Sequence, residues 1–173
     1  MSILISFPIV ILLMILQTTF FREITLLNGS ADLFLVTIAS WALLSKDNSS
    51  WFWAILAAAL CGFVSAIPWY VFVFTFLSIV IMARFVRGKL WQSPLMSVFG
   101  ITMIGSIILY VLTFIGLRFQ GVVYPLQSTM VRVIIPSIFL NLVFAIPVYA
   151  ILKDLSVWIF KGDSNLGKSF IAS

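Results

Sequence analysis

Few side chains in this sequence can do proton or metal chemistry. There is no histidine, which excludes a Ser-His-Asp triad, a Cys-His dyad and a zinc-binding HExxH helix. The single cysteine, Cys61, lies in an apolar run and can support neither an internal disulfide nor a cysteine-cluster metal site. Five carboxylates remain: Glu23, Asp32, Asp47, Asp154 and Asp163. All stand at or beyond the ends of apolar segments, so a membrane-buried pair sharing a proton is not expected. The chain is therefore expected to be no enzyme, with no cofactor and no metal site.

The candidates that remain are for contact rather than catalysis. In residues 51–66, Ala54, Ala58, Gly62 and Ala66 recur every four positions and form one smooth stripe. Such a stripe lets another helix approach closely, either one of the chain's own or a partner's. Farther on, Ser137, Asn141, Ala145 and Tyr149 also stand four apart and share a helix face. Asn141 lies about 13 Å along the helix from Arg132, at a depth where an amide needs a partner, and Gln17 is a candidate. Four charges gather at segment ends: Arg22 and Glu23 close the first, Asp32 opens the second and Arg132 opens the last. Either Asp32 simply favours its helix N-terminus and the arginines reach for the surface, or Arg22, Asp32 and Arg132 meet a partner there, with Asp32 free to pair with either arginine.

The elements that position these residues follow from composition. The 173 residues are 63% hydrophobic and 9% charged, against roughly 45–50% and about 25% in soluble domains. A soluble domain of this size could not hide so much apolar surface, so the composition indicates a multi-pass, all-α membrane bundle. Spans are expected at residues 3–21, 30–44, 51–66, 68–83, 94–117 and 130–152, followed by a cytoplasmic tail, 153–173. Asn28-Gly29-Ser30 reads as a turn, with Ser30 able to cap the second span. That span is short and must stand upright or pinch the bilayer. Residues 51–83 carry no charge; one helix of that length would be about 50 Å long, so Pro68 is expected to divide it. Pro136 and Pro147 should make the last span irregular.

The basic residues support this division. With six spans and a cytoplasmic N-terminus, Lys46, Arg84, Arg87, Lys89, Lys153, Lys161 and Lys168 lie inside, and Arg22, Arg118 and Arg132 outside. A single span over 51–83 would reverse that bias. The net charge of +5 fits orientation and anionic lipid better than nucleic acid.

A first helix ending in Leu16-Gln17, the segment Ala31-Asp32-Leu33-Phe34-Leu35 and a last helix reading Ile135-Pro136-Ser137-Ile138-Phe139-Leu140-Asn141-Leu142 with Pro147-Val148-Tyr149 together resemble MreD, the bacterial rod-shape-determining membrane protein. The likeness covers nearly the whole chain, and Pro-Ser-x-x-x-Asn is its most specific part. Residues 60–70 depart from the family pattern, holding Gly62 but no acid where G-x-x-x-D is frequent. The resemblance implies a scaffold in the inner membrane that works with MreC in cell-wall elongation. Through MreC or directly, it implies contact with the polymerase RodA and its penicillin-binding transpeptidase. It also implies a fold similar to the substrate-binding subunits of energy-coupling-factor vitamin transporters. Such a subunit is the main rival function, although a vitamin pocket needs converging polar groups and the chain looks sparse in them. A proton-coupled exporter is a third reading, but it would want a mid-membrane carboxylate.

Overall fold

The computed structural model describes residues 2–19, 25–26, 28–45, 48–87, 94–122 and 125–171. It is an all-α bundle. Helices α1 (Ser2–Thr19), α2 (Leu33–Leu44), α3 (Ser49–Val64), α4 (Trp69–Arg87), α5 (Pro94–Phe119), α6 (Leu126–Thr129) and α7 (Ile135–Ile171) follow in order. A π turn, Met130–Ile134, joins α6 to α7, and Thr25–Leu26 pairs antiparallel with Gly29–Ser30. Three stretches are long and apolar enough to cross a membrane: Trp69–Arg87, Pro94–Phe119 and Gln127–Val157, with mean hydropathies of 2.0, 2.3 and 2.2. α1, α2 and α3 supply shorter apolar helices.

The long helices alternate in direction. Gly105 packs on Ile79 and Gly116 on Val71, so contacts climb α5 as they descend α4. α7 instead runs parallel to α2, since Ser137 meets Ser30 and Asn141 meets Asp32.

α2 is the centre of the bundle. Every residue from Leu33 through Ala42 is buried, as expected of a helix apolar all round. It packs against α1, α3, α4, α5 and α7. Trp41 stacks on Trp53 of α3 at 4.7 Å between ring centroids. At its C-terminal end the Ser45 amide donates to Trp41 O at 2.8 Å, and Arg87 Nη2 donates to Ala42 O. Its 12 residues rise only about 18 Å. This short helix is therefore surrounded by protein within the bundle.

Several boundaries differ from those read in the sequence. α2 is capped by Asp32, not Ser30: Asp32 is extended (φ −102°, ψ 94°) and its Oδ1 accepts from the Leu35 amide at 3.1 Å. The Ser30 amide is already held by Ser137 Oγ at 3.0 Å. The break before Pro68 falls where expected, but α3 ends at Val64, and Ser65 Oγ accepts the Ile67 amide at 3.1 Å. Ala66 thus lies off the helix, exposed. In the last span, Ile135 N donates five residues back to Met130 O. Pro147 lies inside α7 without ending it, and the helix continues to Ile171.

Candidate functional site

The most polar part of the bundle is where the chain enters α2. Residues 28–32 are not helical, so their backbone polar groups need partners from other elements. Three side chains provide them. Gln17 at the end of α1 grips two peptides at once: its Nε2 donates to Ala31 O at 2.8 Å and its Oε1 accepts the Leu33 amide at 2.9 Å. The Asp32 amide donates to Asn141 Oδ1 at 2.6 Å, and Asn141 Nδ2 donates to Ser106 Oγ at 2.9 Å. Ser137 holds the Ser30 amide.

Pro136 explains the remaining contact. Having no N–H, it cannot donate to the carbonyl of Arg132 one turn earlier. That carbonyl accepts from the Asn28 amide at 3.0 Å instead. The approach is close enough to require glycine at 29: a Cβ there would lie 2.7 Å from Ser137 N and from Val133 O. Proline, π turn and glycine together dock the turn against α7.

Below the docked turn is a cavity of about 450 Å³. Its walls include Gln17, Ser30, Asp32, Cys61, Ser65, Tyr110, Thr113 and Ser137. Asp32 is half-buried, and among the described residues no ion pair engages its carboxylate. Tyr110 and Ser137 both stand in the cavity wall. Thr113 Oγ1 is buried and has no hydrogen-bond partner among the described residues. Several polar residues thus line one space.

The sites read from the sequence divide accordingly. Gln17, Asp32 and Asn141 come together, but Gln17 and Asn141 do not bond to each other; each binds a different peptide of the same docked turn. Ser137, Asn141, Ala145 and Tyr149 share a buried face, as their spacing requires. Ala54 and Ala58 are fully buried in the bundle's own core. Gly62 faces α4, where a Cβ would lie 2.7 Å from Trp69 Cβ. The stripe is therefore an internal seam, closed to a partner's helix at those positions. Arg22 lies outside the described residues. Arg132 is exposed and makes no ion pair with Asp32, whose side chain turns toward its own helix. Sequence reasoning misses the polar residues of α5, yet Ser106, which holds Asn141, and the wall residues Tyr110 and Thr113 stand at helical spacing in an apolar span. That spacing is the available signal.

At the opposite end of the bundle, Arg84 lies 5.3 Å over the Trp51 ring and its Nη2 donates to Asn48 Oδ1 at 2.8 Å. This is an interfacial arrangement of aromatic and cation. Comparison with family models, with curated proteins and with solved structures returned no match for this chain.

Proposed function

We propose that this chain is a non-enzymatic scaffold of the bacterial cell-wall elongation complex, similar to MreD. In this reading it is a six-span protein of the inner membrane with both termini cytoplasmic. Its partners are the single-pass protein MreC and, directly or through it, RodA with its penicillin-binding transpeptidase. One observation carries the proposal. The residues of the resemblance, Gln17, Asp32, Pro136, Ser137 and Asn141, share a single structural task in seating the turn before α2. The sequence offers no histidine for proton transfer, and the internal use of the α3 stripe directs a partner's helix to the exposed apolar faces of α5 or α7. Phe139, Val143 and Ile146 are half-exposed on α7.

The topology has independent support, since helix direction puts Arg84 and Arg87 at the end opposite Arg118 and Arg132. In Cys61→Ala protein, a cysteine at Lys89 should resist labelling from the periplasm; labelling there would reverse the orientation. Affinity purification in mild detergent should recover MreC, and loss of the chain should round the cells. Recovery of an energy-coupling module instead would refute the scaffold. The polar cavity favours one second reading, a vitamin-binding transporter subunit, which nanomolar binding of a vitamin by the purified chain would establish.

A further inference from the structure

A second cavity of about 540 Å³ adjoins the polar one. Its own walls are apolar, with Ile107, Val111, Met130 and Ile134 among them, and the two cavities share Ile67, Tyr110, Thr113 and Val133. Ile107, Val111 and Met130 are 41%, 51% and 48% exposed. They lie on stretches long and apolar enough to cross a membrane, so the apolar chamber opens sideways, where acyl chains would be. The polar chamber has one ionisable carboxyl on its described walls, that of Asp32, and neither lysine nor arginine is among them. Thr113, whose hydroxyl is buried and without a hydrogen-bond partner among the described residues, is a wall residue of both chambers.

We propose that the two neighbouring chambers together hold one amphiphile, a lipid with an ammonium headgroup of the phosphatidylethanolamine kind. Its amine faces Asp32, and one of its chains lies between α5 and the π turn. A carboxylate only accepts hydrogen bonds, and an ammonium brings three donors. The hydroxyls of Tyr110 and Thr113 donate to phosphate or ester oxygens. An anionic head would instead meet Asp32 at like charge. The volumes of both chambers fall within the range of about 300–1,000 Å³ usual for ligand sites. The site does not depend on the scaffold reading; it asks only that the chain lie in a bilayer.

Native mass spectrometry of the full chain in mild detergent tests it, with phosphatidylethanolamine and phosphatidylglycerol of identical chains as probes. The ammonium lipid should be retained about tenfold better, the value of one charge-assisted hydrogen bond. Asp32→Asn keeps the cap of α2, because Asn caps as well as Asp, and should bring the two lipids to equal retention. Val111→Trp, at a half-exposed position, fills the apolar chamber and should lower retention of both. Equal retention of the two lipids by the unaltered chain would overturn the proposal, and that comparison needs no variant to fold. Binding of water-soluble phosphoethanolamine as tight as that of the lipid would also overturn it, assigning the polar chamber to a soluble ligand.

Discussion

Asn141→Leu probes the docked turn at its most buried point. Asn141 is 0% exposed, and both halves of its amide are used, one by the Asp32 N–H and one by Ser106 Oγ. Leucine keeps the number and branching of side-chain heavy atoms and has higher helix propensity, and its bulkier methyls can only add to the cost. The part that can be worked from the structure comes from the two partners, and they differ. Ser106 can turn its hydroxyl to a carbonyl one turn back along α5, so only the lost bond counts, about 0.6 kcal/mol on average within membranes. The Asp32 amide is fixed ahead of α2 and cannot turn. A buried donor left without an acceptor costs about 1–3 kcal/mol. Together these give about 1.5–3.5 kcal/mol, a shift of ten- to several-hundred-fold in the unfolding equilibrium. Reversible unfolding in mixed detergent micelles would measure it, with Val143→Leu, half-exposed on the same helix, as a control within about 0.5 kcal/mol of the parent. If Asn141→Leu costs no more than the control, water in the cavity satisfies the Asp32 amide, and the turn is not held by α7.

Two further substitutions test close approaches. Gly29→Ala would set a methyl 2.7 Å from backbone atoms of Val133 and Ser137, neither of which can yield as a side chain end would. It should cost about 2–3 kcal/mol, and unchanged stability in the same assay would show that the turn lies farther from α7. Gly62→Leu should force α3 from the start of α4, because the new Cβ would lie 2.7 Å from Trp69 Cβ. It should lower stability by about 1–3 kcal/mol without loss of insertion; unaltered stability in detergent would place Gly62 against lipid.

Fold class is legible in the sequence because a composition this apolar admits few architectures, and the break before Pro68 because proline acts locally. The depth of α2 is not legible. Its sequence reads as a short lipid-spanning helix, and only the packing of five other helices around it makes it a core. The shared face of Ser137, Asn141, Ala145 and Tyr149 follows from spacing alone. Which group Asn141 serves depends on a turn more than a hundred positions away in sequence, and no local pattern carries that. The same holds for Asp32. Its position before an apolar run marks it as a helix-end residue, but not whether the carboxylate faces a cation or a cavity. Gly29 reads as a turn glycine; the stricter reason for it is the backbone of α7, which proline at 136 and the π turn bring alongside.

The polar residues of the site fall into two groups by what they have left to bond. Gln17 and Asn141 spend both halves of their amides within the protein, so changing them should lower stability first. Thr113 is different, because its hydroxyl is buried and unpartnered among the described residues, although a threonine in a helix ordinarily bonds back to a carbonyl one turn earlier. An unpaired buried hydroxyl destabilises a fold, by about 1–3 kcal/mol on mutational scales. Thr113→Val, which keeps the shape and β-branching, should therefore leave stability equal or raise it by up to about 1 kcal/mol. The same change should weaken retention of the ammonium-headed lipid, since Thr113 is a wall residue of both chambers and a small turn of its side chain would offer the hydroxyl to a ligand. Opposite signs for stability and binding would mark a group held in reserve for a ligand. A loss of stability beyond about 1 kcal/mol would mean that the hydroxyl already serves the fold, and the two chambers would then have no donor of this kind to offer an amphiphile.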